Sequence, residues 1–547
     1  MRRQFRGSPP REQSGQLTNR GDSFGAGLRD AAIAHVVSIG LLFGSFAVAA
    51  RVVSKEALGE YVLIGVIVEL LGVLLDFGTR VTAVRFLSLG DYERADVAGT
   101  ASGLWLLVGL GGGGVLGVSF WAIGPYVGLT VGQQVPLLVG TMFCGQYVSF
   151  RFLALLQGCH AYGRYALVQS LSSALRFTAV IVLVAGFGLG LPGLLLAVTI
   201  AGFASVALAW RALPIRTRPS IELRIVREML PLAFPVQISG LLALVYERTD
   251  AVMLGAYHGT PSVSAYEVAY RPLNQLRALF ESLRAVFLPH LSQLYARGET
   301  GLAEESLRQA LRVVSFVMTT GTVAVLGYGR WLVGTLFTSR YIESSRVLAV
   351  LMAGVCVGLC NYAISTALVA SGRPRSIVFP GAVEALVNVL GNFLLTPGFG
   401  VMGAATASLV SRAAVNPLFL AALHRDVRWR MASSFAPGLL SLGATWVLAV
   451  ALVGTAGNPS VLAGVLLLGF HVGLCFLVGA VRSADLRVVT GALLSVTRPG
   501  GSNALVGTSV PRWDDVALLG RHASELPPSG ESQKVARGKE GKVGLPR

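Results

Sequence analysis

Charge is what this chain has least of. Only 13% of its 547 residues are Asp, Glu, Lys or Arg, about half the share of a soluble domain. Lysine is almost missing, with four among 45 basic residues. So little charge cannot cover a water-facing surface of this size. Cysteine is sparse too. Cys144, Cys159, Cys356, Cys360 and Cys475 fit neither a disulfide framework nor a zinc spacing. Cys356 and Cys360, one helical turn apart in an apolar run, read as small buried residues. The sequence contains no GxxxxGK[ST], HExxH or CxxC, so P-loop ATPase and zinc-protease readings are excluded. The seven histidines are scattered. Neither a metal nor any other cofactor is expected. The loops are too short for a catalytic domain, which points to a transporter rather than an enzyme.

What is there is apolar. Hydrophobic residues make up 53% of the chain, and mean hydropathy is +0.65. Runs long enough to span a bilayer recur at 24–50, 58–89, 100–123, 133–157, 164–187, 192–213, 228–256, 262–296, 305–328, 346–371, 374–396, 400–424, 433–454 and 459–481. They predict an all-α polytopic membrane protein of about 14 transmembrane helices. The net charge of +17 would suit a nucleic-acid partner, but its distribution excludes one. The two tails and the even-numbered loops hold 31 Lys/Arg. The opposite loops hold five: Arg51, Lys55, Arg330, Arg340 and Arg346. This positive-inside pattern predicts a multi-pass protein of the cytoplasmic (plasma) membrane with both termini cytoplasmic. It also requires 262–296 to cross, because otherwise Arg373, Arg375, Arg425, Arg428 and Arg430 fall outside. Ala47-Val48-Ala49 resembles a signal-peptidase site, yet its apolar run is too long for a signal peptide and many spans follow it.

Composition divides the chain further. Residues 1–23 and 482–547 read as cytoplasmic tails, mostly disordered, with 484–497 suited to a short interfacial helix. The polar stretch 214–227, PIRTRPSIELRIVR, reads as a cytoplasmic linker. It separates an N-terminal lobe (24–213, helices 1–6) from a C-terminal lobe (228–424, helices 7–12). Helices 13–14 follow in 433–481. A weak internal repeat supports this division. LGEYVLIGVIVELLGVLLDFGT (58–79) resembles VSAYEVAYRPLNQLRALFESLR (263–284), and GLGLPGLLLAVTIA (188–201) resembles GFGVMGAATASLVS (398–411). The two offsets are nearly equal, as expected for two pseudo-symmetric six-helix lobes. Transporter folds of this kind hold substrate between their repeats.

One stretch breaks the apolar rule. In residues 262–296, Glu267, Arg271, Asn274, Arg277, Glu281 and Arg284 recur at helical spacing on one face. From Glu267 to Arg284 the rise is about 26 Å, most of a hydrocarbon core of roughly 30 Å. Each charge within a span costs roughly 2.5–3.5 kcal/mol on an insertion scale. The stripe therefore lines a polar interior. Its repeat partner carries Glu69, Asp76 and Arg80, and the span at 228–256 carries Glu247, Arg248 and Asp250. Arg151, Arg176 and Arg412 have no opposite charge nearby in sequence, while Glu384, Asn388 and Asn392 share a face of 374–396. Arginine suits phosphate, because its planar fork donates two parallel hydrogen bonds. Arg80, Arg248, Arg271, Arg277 and Arg284, with Asn274, are thus candidates for an anionic headgroup. The plainer alternative is mutual neutralisation, for which Glu267–Arg271, Arg277–Glu281 and Asp76–Arg80 are spaced. Pro231, Pro235, Pro272 and Pro380 mark kinks, and GLGGGGVLG (109–117) marks close helix packing.

The stretches 57–88 and 247–299, with the short turns LLQGCHAYGRYALV (155–168) and LVASGRPRSIVF (368–379), resemble the polysaccharide-exporter flippases of the multidrug/oligosaccharidyl-lipid/polysaccharide superfamily. The likeness covers about 24–481. It implies alternating access by two lobes. The implied substrate is a sugar or oligosaccharide on a polyprenyl phosphate or pyrophosphate, moved out of the cytoplasmic leaflet of the membrane lipid. It carries the headgroup role onto Arg80, Arg248, Arg271, Arg277 and Arg284, and makes Asp76, Glu247 and Asp250 candidates for cation or proton coupling. Glu281 in the stripe is a further coupling candidate. Glycan polymerases and glycosyltransferases are the implied partners of a functional monomer. Two rivals remain open. A cation-coupled multidrug exporter of the same superfamily would want an acidic, aromatic pocket, against which the arginine stripe weighs. A membrane glycan ligase or polymerase would need a large outer loop.

Overall fold

The computed structural model describes residues 17–89, 92–123, 134–423, 425–453 and 461–482, and for some of these, among them 17–33 and 277–283, the backbone alone. Most of the two expected tails and the expected helix at 484–497 lie outside the described residues. The described chain is helical, with no strand among its elements. Its α-helices are α1 (Leu17–Val52), α2 (Lys55–Leu74), α3 (Thr79–Leu89), α4 (Arg94–Ile123), α5 (Val135–Gly158), α6 (Tyr162–Val180), α7 (Gly190–Ala212), α8 (Leu223–His258), α9 (Thr260–Ala296), α10 (Thr300–Leu336), α11 (Ser344–Ala370), α12 (Val378–Ala421), α13 (Arg425–Val453) and α14 (Val461–Leu477). Among the described residues, ten helices are long and apolar enough to cross a membrane. The chain is an all-α polytopic membrane protein. Helices α8 and α9 are not among those ten. At 36 and 37 residues they have ample length, and α9 runs unbroken through Pro272.

Three boundaries differ from the sequence expectation. The first helix begins at Leu17 rather than 24. The runs 374–396 and 400–424 form the two arms of α12, which meet at Gly400 with φ 55° and ψ −131°. The run 58–89 is not one helix. It breaks between α2 and α3, where Phe77 has φ 48° and Gly78 has φ 69°.

Side chains of other helices bond the backbone at that break, as an interrupted helix within a membrane requires. The Gln237 side chain of α8 donates to the carbonyls of Val73 at 2.6 Å and Leu74 at 3.2 Å, and accepts the Gly78 amide at 3.0 Å. The Tyr147 hydroxyl of α5 donates to the Leu75 carbonyl at 3.0 Å. Thr79 donates to the Asp76 carbonyl at 2.7 Å and accepts Trp105 Nε1 at 2.9 Å. Position 78 requires glycine twice over. Its φ is left-handed, and a Cβ there would sit 2.2 Å from the Ala233 carbonyl oxygen.

The helices pack in two groups. In the first half α1 lies against α6, α4 against α5, and α7 against both α5 and α6. A Cβ on Gly113 would come within 2.6 Å of the Gly140 carbonyl, so the glycine run of α4 serves close packing. In the second half α8 lies against α12, α9 against α11, and α11 against α10 and α12, with α13 and α14 on α10. Helix α2 joins the groups by packing on α8 and α9. A seam also closes at the α1–α2 turn. Arg51 Nε donates to the Leu336 carbonyl at 3.1 Å, and a terminal nitrogen of Arg51 donates to the Thr335 carbonyl. Arg340 donates to the carbonyls of Arg51 at 2.7 Å and Val53 at 3.3 Å. Phe337 lies edge-on to Phe43 and Phe46 at centroid distances of 5.9 and 6.0 Å.

Candidate functional site

The charged residues of α2, α8 and α9 gather where α2 meets the second half. Arg248 of α8 pairs with Glu69 of α2 at 2.6 Å, and Glu267 and Tyr270 also act on it electrostatically. Arg271 pairs with Glu267 one turn away at 2.6 Å, and its guanidinium lies 4.8 Å from the centre of the Phe46 ring. A cavity of about 50 Å³ opens beside it, lined by Phe46, Tyr61, Arg176 and Arg271 among others. Arg176 donates to the Tyr61 hydroxyl at 2.5 Å. Two arginines from opposite halves, on α6 and α9, thus face one small space beside α1 and α2.

The remaining candidates are spread more widely. Arg80 is exposed at the start of α3, and Asn274 and Glu247 are half-buried. Arg284 lies with its guanidinium 5.3 Å from the centre of the Tyr362 ring. The side chains of Arg277 and Glu281 lie outside the described residues. The Asp76–Arg80 pairing that the spacing allowed is replaced. Asp76 takes Arg151 of α5 at 2.8 Å, because the helix breaks between Asp76 and Arg80. Arg151 also donates to the Gly72 carbonyl at 2.9 Å and the Tyr147 carbonyl at 2.8 Å. Its guanidinium lies against the Tyr147 ring. Asp76 is therefore part of the clamp on the break.

Asp250 is buried, 5% exposed. Asn392 donates to one carboxylate oxygen at 2.5 Å, and Ser408 donates to the other at 2.9 Å. The Tyr266 hydroxyl of α9 donates to that second oxygen as well. Asn388 donates to Ser408 at 3.3 Å, and Thr396 donates to Asn392 at 3.0 Å. One carboxylate is thereby held from α8's neighbours on both arms of α12 and on α9. The Asn388–Asn392 spacing was visible in sequence, but Ser408 and Tyr266 carried no signal there.

One turn before Asp250 on α8 lies a larger cavity of about 220 Å³. It is lined by Tyr246 of α8, Asn361, Tyr362 and Ser365 of α11, and Glu384 and Arg412 from the two arms of α12. The Tyr246 hydroxyl donates to Glu384 at 2.9 Å and accepts from Arg412 Nε at 3.3 Å. Arg412, which lacked an opposite charge in sequence, meets Glu384 through this tyrosine.

The probable low-salt glycan biosynthesis flippase Agl15 of Haloferax volcanii is 21% identical over 174 residues, 32% of this chain and 37% of that protein. The match thus spans little more than a third of that relative's length. The lipid II flippase MurJ in an inward closed conformation superposes with TM-score 0.64 at 15% identity, over 83% of this chain and 99% of its own. An inward-facing multidrug resistance transporter of the MATE family superposes with TM-score 0.55 at 14% identity, over 73% and 95%. At such identities the two structures establish the fold. Residues 48–346, more than half of the chain, match the family model described as polysaccharide biosynthesis protein, and the chain belongs to that family.

Proposed function

We propose that the protein is a flippase. It moves a sugar or oligosaccharide, carried on a polyprenyl phosphate or pyrophosphate, across the cytoplasmic membrane for polysaccharide or glycoconjugate biosynthesis. The observation that carries this reading is the meeting of Arg248, Arg271 and Arg176 beside α2, at the junction of the halves. Family membership supplies the biosynthetic setting, and the flippase names of two similar proteins support it. The two helix groups act as lobes (24–213 and 228–424) joined by the cytoplasmic linker 214–227, with helices 13–14 (433–481) appended. Both termini lie in the cytoplasm, which puts the Arg51–Arg340 seam on the outer side. Closing that seam and opening the other end is alternating access.

The acids beside the arginines fit the cycle. A carboxylate holds Arg248 and Arg271 while the site is empty and yields to a phosphate, which offers the same fork geometry and more charge. Glu69 is 41% exposed on its side chain, so it can swing away. Arg284, Arg277, Asn274 and the exposed Arg80 extend the cationic track along the path. Asp250 is the coupling group, because a cation or proton entering its ring of hydroxyl and amide groups would replace their donated bonds. Asp76 is tied to Arg151 and serves the break instead, while Glu247 and Glu281 stay secondary coupling candidates. Membrane potential adds about 2.3 kcal/mol per charge per 100 mV, so no nucleotide is required. The unit is a monomer working beside glycosyltransferases and a glycan polymerase. The arginines weigh against a carrier of organic cations. The test is the Arg248→Ala, Arg271→Ala double variant in the native host, at matched membrane abundance. Wild-type levels of surface glycan in that strain would refute the headgroup role.

A further inference from the structure

The cavity around Tyr246 lies on a different side of α8 from the Arg248–Glu69 pair. Tyr246 and Arg248 are two positions apart, about 200° round the helix. The space is therefore distinct from the proposed headgroup site, and nothing in the flippase cycle above uses it. We infer that it is a subsite for one neutral sugar ring, the ring nearest the phosphate of the carried glycan. The inference rests on the flippase reading for the identity of that glycan.

Its size, polarity and charge each narrow the ligand. A volume of about 220 Å³ falls below the roughly 300–1,000 Å³ of sites for drug-sized molecules. It suits a single ring rather than an oligosaccharide. The charged groups are one guanidinium and one carboxylate, Arg412 and Glu384, already linked through the Tyr246 hydroxyl. That balance disfavours a free phosphate, which Glu384 repels, and an organic cation, which Arg412 repels. A ring of hydroxyls is suited to it, because each hydroxyl both donates and accepts.

Asn361 supplies the independent observation. It is 6% exposed, and its amide nitrogen donates to the Arg412 carbonyl at 3.1 Å. Asn361 is one of the residues that line the cavity, and its Oδ1 is buried with no hydrogen-bond partner among the described residues. A buried acceptor left unbonded is costly and calls for an explanation. A sugar hydroxyl donating to it would complete the site. The opposite requirement of a sugar, an apolar surface for its C–H faces, is met by Tyr246, Tyr362 and Phe419. Arg284 beside the Tyr362 ring then stands where the phosphate of the same molecule would follow.

The test uses purified full-length protein and two kinds of probe. Saturation-transfer NMR reads the binding of neutral methyl glycosides, methyl α-glucoside and methyl N-acetyl-β-glucosaminide, which carry no phosphate or lipid. A separate titration reads undecaprenyl phosphate, which carries no sugar. The wild type transfers saturation to the ring protons of at least one glycoside. Asn361→Leu lowers that signal at least fivefold and leaves undecaprenyl phosphate binding unchanged. Should Asn361→Leu fail to fold, Glu384→Gln, which keeps Tyr246 bonded, lowers the glycoside signal likewise. Absence of any glycoside signal in the wild type, or an undiminished one in both variants, overturns the subsite. Glycoside binding without undecaprenyl phosphate binding upholds the subsite and overturns the headgroup site instead.

Discussion

Arg248 and Glu69 stand 2.6 Å apart, an arginine from the second half of the chain closed on a carboxylate from the first. The pair sits where α2 packs on α8, so the link between the halves is itself charged. Both side chains keep some access to solvent, at 21% and 41%, so the pair contributes little to stability. Its weight lies in what it occupies.

Removing each partner should therefore act in opposite senses. Arg248→Ala should weaken undecaprenyl phosphate binding tenfold or more. Glu69→Gln, which lifts a competitor from the guanidinium, should tighten it severalfold. Arg248→Lys should not restore the loss, because an ammonium lacks the fork. Titration of the purified variants with the lipid checks all three.

The broken helix predicts a stability effect. Gln237→Leu removes three hydrogen bonds at once from Val73, Leu74 and Gly78. Leaving those groups unbonded should cost about 1–3 kcal/mol each at most. Gly78→Ala should cost more, since the added methyl meets the Ala233 carbonyl. Thermal unfolding in detergent should show a lowered midpoint for Gln237→Leu and little folded protein for Gly78→Ala.

The seam at Arg51 and Arg340 predicts a shift of state. Both guanidinium groups hold backbone carbonyls of the opposite half. Arg51→Ala with Arg340→Ala should favour the arrangement open at that end. A cysteine placed at Ser45, which lines the small cavity with Arg271, should then react faster with a membrane-impermeant maleimide added outside. An unchanged rate would mean that the seam does not gate the cavity.

Coupling is checked at Asp250. In proteoliposomes, wild-type flipping should speed up under an imposed sodium or proton gradient. Asp250→Asn should flip at a rate indifferent to both. A wild type that ignores both gradients would remove the coupling role.

Much of the fold was legible because a bilayer punishes exceptions. Apolar length gave the helices, and charge placed where lipid forbids it drew attention to α2, α8 and α9. The Gly400 elbow fell between two expected spans for the same reason. What stayed hidden were partners distant in sequence. Asp76 and Arg80 had the spacing of a pair, but Phe77-Gly78 turned the chain and Arg151 of α5 took the acid. Nothing in the sequence singles out Gln237, because the break it bonds lies about 160 residues away. Helical spacing predicts neighbours only while the helix continues.

Arg248 and Asp250 lie two positions apart within one turn of α8, facing opposite company. One grips Glu69 on α2, and the other is held by α9 and both arms of α12. Any rotation of α8 changes both surroundings together. Thermodynamic reciprocity then applies: whatever factor an ion at Asp250 imposes on headgroup affinity at Arg248, the headgroup returns to the ion. The strength of coupling would then depend on how far α8 turns as one body, with no separate relay required.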